Sequence, residues 1–194
     1  MSRKATVERK TKETDIRVEI NLDGTGKGVI KTGIGFFDHM LNTLAGHGLM
    51  DIKVSAKGDL HVDQHHTVED VGICLGQALR EALGDKAGIQ RFGFALCPMD
   101  EALTRVAVDL SGRPHFVWEF SMNLMSLGDF RSETVPEFFQ GFSIGAQMAL
   151  HMDLIRGRNL HHAVESMFKS YALALRQAVT LNPKTGIPST KGTL

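Results

Sequence analysis

The chain is poor in the residues that usually announce a special class of protein. Its 194 residues include two cysteines, one tryptophan, one tyrosine and five prolines. Cys74 and Cys97 are too few for a disulfide framework, so a reducing, cytoplasmic setting is expected. Charge of one sign is also missing, because 22 Lys and Arg balance 22 Asp and Glu. That argues against a general nucleic-acid or membrane-surface binder and leaves room only for a local basic pocket. No apolar run approaches the roughly 18 residues of a membrane span, and MSRKATVERK is not expected to act as a signal peptide. With 42% hydrophobic and 23% charged residues the chain reads as globular. Against these scarcities stand nine histidines.

The histidines fall in a repeat. HHTVEDVGICLGQALREAL at 65–83 and HHAVESMFKSYALALRQAV at 161–179 share 8 of 19 residues at a constant offset of 96. Such self-similarity at half the chain length reads as an internal duplication. Ile16, Val18, Ile20 and Leu22 alternate as a strand, Asp23-Gly24-Thr25-Gly26 is turn chemistry, and Val29–Lys31 is expected to close a hairpin. A helix over 35–46, a strand over 52–56 and a helix over 65–83 stopped by Gly84 complete the first half. The second half reads as strands near 93–97, 103–110 and 115–121, a helix over 135–149, a strand over 150–156 and a helix over 161–180. The expected fold is α+β: a duplicated β-β-β-α-β-α unit with helices on one face of mostly antiparallel sheets. Repeat boundaries are placed at 1–90 and 91–181, followed by an extended tail at 182–194 rich in Pro and Gly.

Each copy carries HHxxE: His65, His66, Glu69 and His161, His162, Glu165. On a helix, residues four apart share a face, so His65 with Glu69, and His161 with Glu165, can hold one metal ion. Adjacent residues point about 100° apart, so His66 and His162 must serve another centre. Imidazole with carboxylate suits Mn, Fe, Co or Zn, and the absence of thiolates argues against a Cys-rich structural zinc site. The alternative is a polar cluster at each helix mouth, with Glu favoured there by the helix dipole. His39 and Glu137 precede the two motifs by 26 and 24 residues and could each supply a further ligand. His47 ends the first short helix, where an imidazole also suits the dipole, and with His39 it is a candidate substrate contact. His61, His115 and His151 read as structural. Arg91, Arg113, Lys169, Ser189 and Lys191 could together form a phosphate pocket.

Four stretches in order, GIGFFDHML (33–41), DQHHTVEDVGICLGQAL (63–79), GRNLHHAVESMFKSYALALRQA (157–178) and IPSTKG (187–192), resemble the imidazoleglycerol-phosphate dehydratases of histidine biosynthesis. The resemblance implies a fused repeat of the ribosomal protein S5 domain 2-like kind and a cytoplasmic lyase. It also implies a homo-oligomer of 24 subunits with active sites at subunit interfaces and two Mn ions per site. His39, His65, His66, Glu69, His161, His162 and Glu165 match metal ligands of that family, and Glu137 stands where many members have His. Glu13 matches a carboxylate that reaches the substrate, and Arg91, Arg113, Lys169, Ser189 and Lys191 match substrate contacts; Asn42-Thr43 departs from an Asp-Gln found in some members. The implied reaction removes water from D-erythro-imidazole-glycerol phosphate, through an imidazolate held by two Mn ions and a diazafulvene-like intermediate, to imidazole-acetol phosphate. Glu13 is the favoured acid/base, with Glu69 and Glu165 first as ligands. One centre is expected to take His65, Glu69, Glu137 and His162, the other His161, Glu165, His39 and His66.

Overall fold

Alternation of apolar and polar residues builds the first sheet. Ile16, Val18 and Ile20 on one strand and Ile52, Val54 and Ala56 on another turn to one side, while Arg17, Glu19, Lys53 and Ser55 turn to the other. In the computed structural model, which describes residues 3–182 and 186–192, the element order is β1 (Lys4–Lys10), β2 (Thr14–Asn21), β3 (Gly28–Lys31), α1 (Gly35–Gly48), β4 (Asp51–Gly58) and α2 (His65–Leu83). The second half repeats it with β5 (Phe92–Met99), β6 (Ala102–Asp109), β7 (His115–Glu119), α3 (Val135–Ala146), β10 (Ala149–Arg156) and α4 (Leu160–Ala178). A small hairpin, β8 (Ser126–Leu127) with β9 (Phe130–Arg131), is inserted before α3. β2 and β6 open at Thr14 and Ala102, 88 positions apart, whereas β4 and β10 open at Asp51 and Ala149, 98 apart; the hairpin lies in the segment that takes up the difference.

The two sheets have matching orders, β1-β2-β4-β3 and β5-β6-β10-β7. β3 does not pair with β2 as the turn chemistry at 23–26 predicts. It lies beyond β4 and runs parallel to it, as β7 runs parallel to β10. The reason is Asp51, which accepts the N–H groups of Thr25 (2.8 Å) and Lys27 (3.0 Å) and pulls the turn across the start of β4. β3, α1 and β4 then form a crossover unit, the usual way to join parallel strands. The second short helix also ends earlier than expected, at Ala146, with Gln147 in the left-handed region (φ 51°) turning the chain into β10.

Helices cover one face of each sheet and meet one another across the halves: α1 against α4, α2 against α3. The second contact is unusually close. Gly72 and Gly76 of α2 lie against the backbone of α3, and Gly141 and Gly145 of α3 against that of α2; a Cβ on Gly141 would stand 2.7 Å from the carbonyl oxygen of Glu69. Around this contact Phe138, Phe139, Phe142, Phe168 and Tyr171 are buried with their rings in stacked, tilted and edge-on contact, so the halves share one core. Among residues 186–192 there is no helix or strand. Gly88 donates its N–H to the carbonyl of Gly186 (2.9 Å), and short turns follow at Ser189 and Gly192. Residues 183–185 and 193–194 of the expected tail lie outside the described residues.

Candidate active site

The two HHxxE motifs begin long helices, and local hydrogen bonds fix their first turns. The Asn159 side chain caps α4 by accepting the N–H groups of His161 (2.9 Å) and His162 (3.3 Å). At α2 the Asp63 carboxylate accepts the N–H of His65 at 2.8 Å. The helix contacts between the halves then complete each group of donors.

On α4, His161 and Glu165 are joined by His39 of α1; on α2, His65 and Glu69 are joined by Glu137 of α3. In each group one donor atom per residue lies within 4.8 Å of the others. Glu165 Oε2 is 3.1 Å from His161 Nε2 and 3.4 Å from His39 Nε2, and His65 Nε2 is 3.9 Å from Glu69 Oε2. An ion with bonds of about 2.1 Å keeps neighbouring ligands about 3 Å apart, so both groups fit a divalent cation with nitrogen and oxygen donors. Each supplies three donors, fewer than a six-coordinate ion takes.

The two carboxylates are held differently. Glu165 is buried, and Lys169 grips its Oε1 at 2.8 Å, leaving Oε2 aimed at the imidazoles. Burial alone would raise its pKa, but Lys169, His39 and His161 outweigh burial and hold it below the usual carboxylate value. Glu69 is half-exposed.

His66 and His162 stay out of both groups, although the sequence assigns them to the same centres. Their Nδ1 atoms are taken by carboxylates: His66 by Asp59 at 3.0 Å, His162 by Glu101 at 2.8 Å. The hydrogen bond to each carboxylate raises the pKa of both imidazoles above 6.5, and Glu101 is pushed down to about 2, by His162 first and then by the N–H groups of Asn159 and Arg158. Asp59 and Glu101 have no motif and sequence reasoning missed them. One signal was available: Glu101 immediately precedes β6 as Glu13 immediately precedes β2.

Glu13 sits in the β1–β2 turn. Thr11 Oγ1 accepts the N–H groups of Glu13 (3.1 Å) and Thr14 (3.0 Å), and the Thr14 hydroxyl in turn donates to buried Asp70 on α2 at 2.5 Å. The turn therefore rides on the helix that carries His65 and Glu69, and the Glu13 charge acts on His66.

Arg91, Arg113, Ser189 and Lys191 line one cavity of about 340 Å³ with Ser111, Gly112 and Thr190. Arg91 is paired with Asp109 at 2.6 Å and donates to the carbonyl of Pro188 at 2.9 Å, which ties the tail to the pocket. Lys169 is not there; it is engaged with Glu165. His47 is exposed in the last turn of α1, outside both groups. His61, His115 and His151, expected as structural, are also exposed, and the last two face each other with ring centroids 5.9 Å apart.

A family model described as imidazoleglycerol-phosphate dehydratase matches residues 32–175, the stretch that carries both HHxxE motifs, His39 and Glu137. The chain belongs to the imidazoleglycerol-phosphate dehydratase family. Relatives of that name match along the whole length. The one from Zymomonas mobilis is 55% identical over 196 residues, covering 100% of both chains. The one from Ruegeria pomeroyi is 56% identical over 194 residues, covering 99% of this chain and 100% of the relative. The crystal structure of imidazoleglycerol-phosphate dehydratase from Staphylococcus aureus superposes with a TM-score of 0.83 at 38% identity, covering 92% of this chain and 99% of that one. The Pyrococcus furiosus structure, in complex with (S)-C348, gives 0.84 at 40% identity, covering 97% and 100%. As an imidazoleglycerol-phosphate dehydratase the chain is a hydro-lyase of histidine biosynthesis. Among the described residues no helix is long and apolar enough to cross a membrane.

Proposed function

We propose that the chain dehydrates D-erythro-imidazole-glycerol phosphate to imidazole-acetol phosphate in the cytoplasm, using two Mn ions per site. One ion is held by His39, His161 and Glu165, the other by His65, Glu69 and Glu137. The observation that carries this reading is the pair of matched three-donor groups, each built from an HHxxE helix of one half and a short helix of the other. When bound, the ions would supply Lewis acidity toward the substrate imidazole, the chemistry that removal of a proton with no adjacent carbonyl calls for.

The chain's own residues do the rest. Arg91, Arg113, Ser189 and Lys191 bind the phosphate and orient the glycerol arm. Glu13 moves the proton at the side-chain carbons. Lys169 keeps Glu165 turned toward the imidazoles, which gives it a role beside the carboxylate instead of at the phosphate.

One substrate molecule cannot use the phosphate pocket and the α4 donors of the same chain. Arg91 adjoins the first residue of β5, whereas Met99 at its last residue touches Lys169. Eight residues of strand separate the two by about 23 Å, which a three-carbon arm does not bridge. The site is therefore proposed to form between copies, with His66 and His162 completing a neighbour's groups, in a homo-oligomer of 24 subunits. The exposed edge strand β5, with Phe92, Phe94 and Leu96 outward, suits self-association.

The test is product analysis. Purified protein with Mn and imidazole-glycerol phosphate is expected to generate the absorbance of the enol and ketone and no inorganic phosphate. Phosphate release would make the chain a hydrolase, and full turnover after exhaustive chelation would remove the ions from the chemistry. Replacing Arg113 with alanine is expected to raise KM about 10-fold or more with kcat little changed, the scale of one charge-assisted hydrogen bond. An unchanged KM would place the phosphate elsewhere.

A further inference from the structure

His66 and His162 are each adjacent to a cluster histidine, yet each is anchored by its own carboxylate. An ionised carboxylate only accepts hydrogen bonds, so the ring hydrogen of each imidazole sits on Nδ1 and the lone pair is left on Nε2. Both anchors are themselves fixed. The Asp59 side chain is 15% exposed. Glu101 holds His162 through Oε2 while its Oε1 accepts the N–H groups of Arg158 (3.1 Å) and Asn159 (2.7 Å), the two residues that lead into α4. The His162 ring keeps 26% of its surface open, and Asp100, 77% exposed, stands 3.7 Å from its Nε2 on that open side. This is the arrangement in which an outer carboxylate sets the tautomer and direction of an imidazole that binds metal through its other nitrogen.

The anchors occupy different places in the two halves. Glu101 precedes β6, and the corresponding residue before β2 is Glu13. Asp59 follows β4, and the corresponding residue after β10 is Gly157, which carries no side chain. In the second half the carboxylate before the second strand is consumed by the histidine. In the first half Asp59 takes over that contact, and among the described residues no hydrogen bond or ion pair engages the Glu13 carboxylate, although its charge is felt at His66.

We propose that Asp59 and Glu101 are positioning residues that present His66 and His162 to metal through Nε2. Asp59's capture of His66 is what leaves the Glu13 carboxylate free for proton transfer on the substrate. The inference rests on the reading of these histidines as metal donors.

The experiment compares the full-length protein with Asp59→Ala, Asp59→Asn, Glu101→Ala, Glu101→Gln and Glu13→Gln. It measures Mn binding by titration, the melting temperature after metal removal, and kcat and KM with saturating Mn. Asp59→Ala and Glu101→Ala are expected to weaken Mn binding about 10- to 100-fold. Asn and Gln keep an acceptor in place and should recover most of that loss. Glu13→Gln should lose turnover while binding Mn like the unaltered protein. Three outcomes overturn the inference: alanine variants that bind Mn normally, a loss that the amides do not recover while metal-free melting falls, or a Glu13→Gln variant that loses Mn as Glu101→Ala does. If Glu101→Ala fails to fold because Arg158 and Asn159 lose their acceptor, Asp59→Ala, which holds no such backbone group, decides alone. Failure of the unaltered protein to bind Mn at all would instead overturn the metal reading, and the inference with it.

Discussion

Glu165→Gln is expected to lower kcat on the order of 10³-fold, the scale on which loss of a group that stabilises developing charge acts. It should also halve the Mn content from two ions per chain to one. The expectation follows from how the carboxylate is divided. Lys169 holds Oε1 at 2.8 Å, and Oε2 is the atom that His161 and His39 approach at 3.1 and 3.4 Å. A glutamine keeps the shape but removes the charge, so the Lys169 ammonium is left uncompensated beside the imidazoles and repels a cation there. Glu69→Gln has no lysine behind it and is half-exposed, so it should lose its ion with less change in metal-free stability. Elemental analysis and melting of the metal-free variants check both; a Glu165→Gln enzyme with two ions per chain and normal turnover would contradict the assignment.

Gly141→Ala is expected to destabilise the fold by about 2–3 kcal/mol and to empty the group on α2 while sparing the one on α4. Alanine favours a helix over glycine by about 1 kcal/mol, so a loss of stability here can only be steric. The added methyl would press on the carbonyl of Glu69, 2.7 Å away, and on Ile73. Backbone cannot rotate aside as a side chain can, so α3 must move off α2. Glu137 rides on α3, whereas His65 and Glu69 ride on α2. A fall in melting temperature of about 4–12 °C accompanies such a change in a chain of this size. Gly46→Ala, a helical position with nothing within 4 Å, is the control and should leave both ions in place and raise stability by up to about 1 kcal/mol. Two bound ions in Gly141→Ala would show that the close approach does not set the site.

Both variants bear on what the sequence could disclose. Strand β2 was legible because Ile16, Val18 and Ile20 alternate cleanly, and α2 and α4 because their motifs repeat. β1 was not, since only Val7 on that edge strand is buried. The β2–β3 hairpin was misread because Asp23-Gly24 specifies a bend, not a partner; the partner was chosen by Asp51, far along the chain. The pairing of His39 with the second motif, and of Glu137 with the first, was expected, but the spacing within each half does not produce it; the contacts of α1 with α4 and of α2 with α3 do. Of the anchors, Asp59 had no signal in the sequence, and Glu101 had only its place before β6, which matches that of Glu13 before β2. Glu101 lies 61 residues from His162, and a surface carboxylate carries no periodic signature.

The crossed construction of the donor groups limits how the chain can be divided. A break at the turn near Gly84 would leave one fragment with His39, His65 and Glu69 and the other with Glu137, His161 and Glu165. Neither piece would own an intact trio, since every trio draws its third member from the opposite piece. Complementation, in which two severed parts regain function only by re-docking α1 on α4 and α2 on α3, is the form of rescue this architecture permits.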